Sequence, residues 1–321
     1  MQSKLDKIPT ILRVLLMLRR PYGSVQEETA RTIVQDYVSA YDWVTTEVDT
    51  HGNLLCQIGE DNGVVFTAHL DTVHYTGGTQ DLFVLDLEQG AFIGADCDGK
   101  GSVLGADDAA GIFLMTELMR VRTPGKYFFF IGEEQGGIGS SAFVNDNPEF
   151  SANMVVSFDR RGTTSIITHQ GGYRTCSDTF GTALAKELNI NGSNKLAYRI
   201  DDCGLYTDSR EFAELVPECT NISVGYFHEH TAKETLNLTH LLNLRDALLK
   251  VKWLSLPTVR VPEPDEPWGT SLFSTGWYDT PDEGTRLAGV VRTYLDKNWD
   301  TVDSKLRQLL IDMENYLNDQ I

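Results

Sequence analysis

Short apolar, β-rich runs alternate with helical patterns along this chain, and each run stops at an Asp, Glu or His. The runs are residues 64–70, 127–131, 154–158 and 221–227. Helical patterns fill the intervals at 109–121, 140–144 and 179–188. An earlier pattern, 26–41, carries Ala30, Ile33, Val34, Tyr37 and Tyr41 on one face. Strands alternating with helices predict an α/β fold with a mostly parallel central sheet and helices on both faces. Residues 47–58 read as a hairpin turning at His51-Gly52-Asn53, and 83–93 as a second one. Within residues 8–18, Ile11, Val14, Leu15 and Leu18 recur at helical spacing and predict an amphipathic first helix.

In open α/β sheets ligands sit beyond the carboxyl ends of the strands. After the first run come His69 and Asp71. A Gly-rich loop then leads to Asp107 and Asp108, which open a helix. Glu133 and Glu134 follow the second run, Asp159 the third, and His228 and His230 the fourth. Scattered surface charge would not sort itself to the strand ends in this way. Two histidines with three carboxylates, and no cysteine, suit a pair of divalent cations. Zinc leads, with Co²⁺ or Mn²⁺ as substitutes. Two such ions roughly 3.5–4 Å apart share a carboxylate and activate one water.

Composition narrows the partners. The chain has 46 acidic against 27 basic side chains, a formal charge of −19, which disfavours nucleic acid. Apolar residues make up 41%, enough for a large core, so wholesale disorder is not expected. No run approaches the ~18 apolar residues of a membrane span. Residues 8–18 are interrupted by Arg13 and lack a cleavage site, so a cytoplasmic protein without a signal peptide is expected. Five widely spaced cysteines with no CxxC pair predict neither a disulfide framework nor a thiolate zinc site. Pro257, Pro262, Pro264 and Pro267 mark an extended connector. Beyond it Leu306, Leu309, Leu310, Met313, Tyr316 and Leu317 form one helical stripe. The expected division is a catalytic domain, 1–256, and a connector with helices, 257–321. Those helices would pack on the body or form a homo-oligomer contact.

The ordered set TAHLDTV, LGADDAAG, GEE, FD and HTAKETL resembles the co-catalytic di-zinc metallopeptidases. Two branches matter: the lidless zinc aminopeptidases, and the peptidase T, carboxypeptidase G and aminoacylase group, which inserts a lid domain. The resemblance implies that His69 and Asp159 hold one zinc, that Glu134 and His230 hold the other, and that Asp107 bridges them. It implies Glu133 as general base and then acid, Asp71 as the group orienting His69, and a cis Asp107–Asp108 peptide. His230 is preferred to His228 because residues 230–236 fit the His-Thr-x-x-Asp-Thr-Leu ending of the lidless branch. Glu234 there replaces Asp. His228 would then be a pocket-wall residue, and with both histidines on one strand the two could share a face.

Only 71 positions separate Asp159 from His230, too few for a lid as well as the helix and strand the core needs. The lidless branch therefore fits, although HLDTV and LGADDAAG are worded more like the lidded group, and FDRRG is similar to a third, oligomeric aminopeptidase branch. The expected activity is removal of N-terminal residues from peptides. A dipeptidase, carboxypeptidase or N-acyl amino acid deacylase is the alternative, with Arg160, Arg161 or Arg210 on a substrate carboxylate. A one-zinc or non-catalytic relative would have lost ligands, and here all five and Glu133 are present. Asp208 or Arg210, in YTDSREF, falls where the family builds its substrate pocket. Asp108 reads as structural, Asp96 and Asp98 as a polar loop. His51, His74, His169 and His240 carry no assigned role.

Overall fold

Residues 64–69 are buried without interruption, the pattern of a strand covered on both faces. In the computed structural model, which describes residues 2–88, 90–96, 103–192 and 196–262, this run lies at the centre of an eight-stranded sheet. The strands used below are β1 (Val44–Val48), β2 (Leu54–Ile58), β3 (Val64–His69), β4 (Asp81–Leu87), β5 (Gly90–Asp96) and β6 (Gly125–Phe130). They continue with β7 (Met154–Arg160), β8 (Ser165–Ile167), β9 (Arg199–Asp201), β10 (Glu218–Ser223), β11 (Tyr226–Phe227) and β12 (Thr235–Asn237). The helices are α1 (Thr10–Met17), α2 (Val25–Ser39), α3 (Ala106–Arg120), α4 (Ile138–Asp146), α5 (Asp178–Asn191) and α6 (Leu238–Leu248). All described residues belong to one compact unit, Met1–Asp265.

The sheet order is β9-β8-β10-β7-β3-β6-β2-β1. Its four central strands, β10, β7, β3 and β6, run parallel, so their carboxyl ends line one edge. The hairpin β1–β2 continues the sheet antiparallel beside β6. Alternation along β3 serves two cores. Val64, Phe66 and Ala68 join a cluster that includes residues of α1, α2, α3, α5 and α6. Val65 faces the other way, to Phe128, Phe130, Phe143 of α4 and Phe212. The ring centroids of Phe128 and Phe143 lie 4.9 Å apart, and those of Phe150 and Phe212 5.3 Å apart. Such pairs add about 0.5–1.5 kcal/mol each beyond area burial.

Helix α3 is buried on every side from Ala106 to Met119, as expected of a core helix rather than a surface one. Its small first turn allows close approach to β7. A Cβ at Gly111 would stand 2.6 Å from the Phe158 carbonyl oxygen and 2.5 Å from Asp108 Oδ1. This packing sets the start of α3 against the carboxyl ends of β3 and β7.

Three expectations are corrected. Residues 221–227 form not one strand but two, in different sheets, because the chain turns at Gly225 (φ +107°) after β10. β11 joins a second sheet, ordered β11-β12-β5-β4, so the 83–93 hairpin is real and packs beside the segment that carries the last motif. His228 and His230 lie beyond β11 with φ of 56° and 60°, so they share no strand face. In α1 the buried positions are Ile11, Leu12, Leu15 and Leu16, because Val14 turns partly outward and Leu18 has already left the helix.

Between Asp159 and His230 the chain supplies β8, α5, β9, β10 and β11, and the described residues there include no lid domain. Among the described residues no helix is long and apolar enough to cross a membrane. The expected helical stripe at 306–317, and any subunit contact through it, lies outside the described residues, as does Asp98. At the start of the connector, Arg260 donates to the carbonyl oxygens of Ala213, Val216 and Pro217.

Candidate metal centre

The seven residues singled out by the motifs come from five separate segments and converge at one edge of the sheet. His69 closes β3 and is fully buried. Its Nε2 lies 2.9 Å from Asp107 Oδ1 and 3.6 Å from Asp159 Oδ1. Asp107 Oδ2 faces the other way, 3.2 Å from His230 Nε2, and Glu134 Oε1 lies 3.0 Å from that same nitrogen. Asp107 thus presents one oxygen to each histidine. The Asp107–Asp108 peptide is cis.

The donor set fits metal. Ligands on one zinc, at about 2.0–2.2 Å, stand roughly 3.3 Å apart in tetrahedral geometry. The separations above, 2.9–3.6 Å, bracket that value. Glu134 Oε1 is buried and receives no hydrogen bond of good geometry, although His230 Nε2 is near. Two lone-pair groups aimed at a common point are what a shared cation requires. His69, Asp107 and Glu134 form one group that can hold an ion, and His69, Asp108 and Asp159 another.

Supporting contacts hold these atoms in place. Asp71, fully buried, accepts the Glu133 N–H on Oδ1 at 3.0 Å and the Glu134 N–H on Oδ2 at 3.2 Å. Its Oδ1 is also 3.4 Å, and its carbonyl oxygen 3.2 Å, from His69 Nδ1, which leaves Nε2 for the centre. Asp159 accepts the Thr207 hydroxyl at 2.6 Å on Oδ2 and the Tyr226 hydroxyl at 3.0 Å on Oδ1. Asp108 accepts the His69 and Gly111 N–H groups, which agrees with its structural reading.

Two supporting residues were not singled out by the motifs. Glu234 is 4% exposed, and its carboxylate accepts four consecutive backbone N–H groups, those of Leu104, Gly105, Ala106 and Asp107, at 2.8–3.2 Å. The loop that delivers Asp107 is therefore wrapped around one side chain from the last motif. The available signal was the acid inside HTAKETL. Arg20 is fully buried and donates to the carbonyl oxygens of Leu70, Leu15 and Gly105. Burial draws its pKa down to about 10, partly offset by the charges of Asp108 and Asp71. Nothing local in the sequence marks Arg20.

The electrostatics show an excess of buried negative charge. Burial, then the neighbouring Asp159, holds Glu133 well above the ordinary carboxylate range. Burial and Asp107 push Glu134 up to about 7. Burial opposes ionisation of Asp107 too, but His230 and His69 pull its pKa down. The hydrogen bonds of Asp107 and Glu134 raise His230 to about 11. Cations are the natural counter-charge for such a cluster.

The cleft over the centre is lined by Asp107, Glu133, Glu134, Asp159 and His230, and also by Arg160, Arg161 and Tyr206. Asp208 and Arg210 do not line it. Asp208 is buried, which pushes its carboxyl up to about 7, and the Arg210 guanidinium lies 4.9 Å from the centre of the Tyr173 ring. His228 lines a neighbouring cavity. His74 is buried and His240 half-buried within hydrogen-bond networks, His74 with Thr72 and Val103, His240 with Tyr198.

The model for Peptidase family M28 matches residues 53–241, more than half of the chain and all seven site residues. Among curated protein sequences none matches. Among solved structures, the aminopeptidase PepT from Bacillus cereus aligns with a TM-score of 0.62 at 16% identity, covering 78% of this chain and 97% of that one. A tripeptidase from Staphylococcus aureus gives 0.59 at 16%, covering 79% and 98%. An aminopeptidase from the archaeon Desulfurococcus kamchatkensis gives 0.53 at 14%, covering 78% and 94%. At these identities the structures speak to the fold, whereas the family match speaks to the chain itself: it belongs to Peptidase family M28 and is a metallopeptidase of the co-catalytic superfamily.

Proposed function

We propose that this metallopeptidase removes N-terminal residues from peptides. In this reading His69 and Asp159 hold one divalent ion, Glu134 and His230 the second, and Asp107 joins them. The observation that carries it is Asp107, whose two oxygens face two different histidines, His69 and His230. Two zinc ions, or Co²⁺ or Mn²⁺ in their place, would supply Lewis acidity and a water acidified towards neutral pH.

The chain's own residues do the rest. Asp71 fixes the backbone of Glu133 and Glu134 and backs His69, so that base and ligands share one support. Glu133 lines the cleft, takes the proton of the attacking water, and returns it to the leaving amine. The acids lining the cleft suit the α-ammonium group of a peptide. Arg160 and Arg161, which also line the cleft, favour as a second reading a substrate with a nearby carboxylate, as a dipeptidase or carboxypeptidase would take.

The test compares free and N-acetylated peptides on the metal-loaded enzyme, with metal analysis alongside. Close to two ions per chain and hydrolysis only of the free peptide are expected. Glu133→Gln should retain the metals and lose about 10²–10⁴ in kcat. Indifference to the acetyl block would overturn the aminopeptidase reading, and a fully active Glu133→Gln would overturn the base.

A further inference from the structure

Beside the cleft over the candidate metal centre lies a second cavity of about 580 Å³, lined by Arg160, Arg161, Ser165, Phe227 and His228, among others. That volume is in the range of small-ligand pockets. Arg160, Arg161 and Glu229 line both spaces. Arg160 donates through Nη2 to the Cys203 carbonyl oxygen at 2.9 Å, while its Nε is buried with no hydrogen-bond partner among the described residues. Arg161 is anchored through Nη1 to Glu229 Oε1 at 2.8 Å, with its side chain 57% exposed. A guanidinium has five N–H donors in a fork that matches a carboxylate, and a buried donor without an acceptor is costly.

Position along the chain supports a short reach. Asp159, Arg160 and Arg161 are consecutive, so both arginines leave the backbone within about 7 Å of Asp159. An extended peptide of three residues spans about 10 Å. A ligand lying across Asp159 with its scissile bond at the centre therefore reaches the arginines with its second or third residue. The carboxylates of the centre and the two arginines line one cleft, with Glu229 paired to Arg161.

We infer that Arg160 and Arg161 form a subsite for the terminal carboxylate of very short peptides, so that the enzyme prefers substrates of two or three residues with a free C-terminus. This deepens the proposed aminopeptidase reading and rests on it. The substrate carries its ammonium group towards the carboxylates of the centre and its carboxylate towards the two arginines.

The experiment uses the full-length, metal-loaded enzyme and three peptides: a tripeptide with a free carboxylate, its C-terminal amide, and the amide carrying Glu as third residue. The free acid should exceed its amide by at least about 10-fold in kcat/KM, mostly through KM. Arg161→Gln and Arg160→Gln should bring that ratio towards one, and Arg161→Lys should keep part of it. Equal turnover of acid and amide, or an unchanged ratio in both Gln variants, would overturn the subsite. A preference for the Glu-containing amide over the free acid would overturn its assignment to the terminal carboxylate. Calorimetric titration of Glu133→Gln with the same peptides reads the preference without turnover. Tighter binding of the acid supports the subsite even if neither peptide is cleaved, an outcome that would count against the aminopeptidase reading alone; equal binding overturns the subsite.

Discussion

Replacing Glu234 with Gln should damage the metal centre without altering the side chain of any proposed ligand. The carboxylate uses Oε2 for the N–H groups of Leu104 and Gly105, and Oε1 for those of Ala106 and Asp107. A Gln keeps one oxygen and turns an NH₂ group towards the other pair, leaving two buried donors facing a donor. Hydrogen bonds to a charged group contribute about 1.5–3 kcal/mol each, so losing two should cost about 3–6 kcal/mol. For a domain of this size that corresponds to a fall in Tm of roughly 6–24 °C. The same change releases the loop at Asp107, and loss of a residue that orients metal ligands typically costs about 10–100-fold in metal affinity or activity. The assays are thermal unfolding of the metal-loaded protein and a competition titration with a chelator. A Tm within about 2 °C of the parent, with unchanged metal affinity, would show that the four N–H groups do not depend on this carboxylate.

Asp71→Asn should lower turnover about 10–100-fold and weaken metal retention, because its new NH₂ group would oppose the Glu133 or Glu134 N–H; a chelator titration alongside kinetics checks both. Gly111→Ala should be destabilising by about 1–3 kcal/mol by denaturant unfolding. The added methyl meets Asp108 and the Phe158 carbonyl oxygen, which outweighs the helix-propensity gain of about 1 kcal/mol. Glu27 predicts a pH dependence in the metal-free protein. Burial pushes its carboxyl from 4.5 up to about 7, so the folded state holds the proton more tightly than the unfolded one. Its contribution to stability is present below about pH 4.5 and is lost as pH rises through about 7. Unfolding melts from pH 5 to 8 should show a shallower decline for Glu27→Gln than for the parent; an identical slope would remove Glu27 from the account.

The α/β class and the central strands were legible because strand and helix periods differ and because buried parallel strands read as continuous apolar runs. The same reading failed at 221–227, where Gly225 turns an apolar run out of one sheet and into another; composition does not mark which sheet a strand will join. It also misplaced the buried face of α1, since Leu12 and Leu16 are chosen by what packs on them as much as by spacing.

The site divides in the same way. Most acids and histidines of the five motifs are visible in the sequence because they follow an apolar run, where an open sheet exposes its carboxyl edge, and Asp107 because it opens a helix after a Gly-rich loop. Their chemical type alone points to divalent cations. Which oxygen of Asp107 faces which histidine, the clamp of Glu234 on the loop 104–107, the burial of Arg20, and the withdrawal of Asp208 and Arg210 from the cleft were settled by tertiary structure alone. Each depends on a distance between segments remote in the chain, from 38 positions for His69 and Asp107 to 130 for Leu104 and Glu234. Periodicity reports the environment of a segment along its own axis, while contacts of that range are fixed only when the whole core packs.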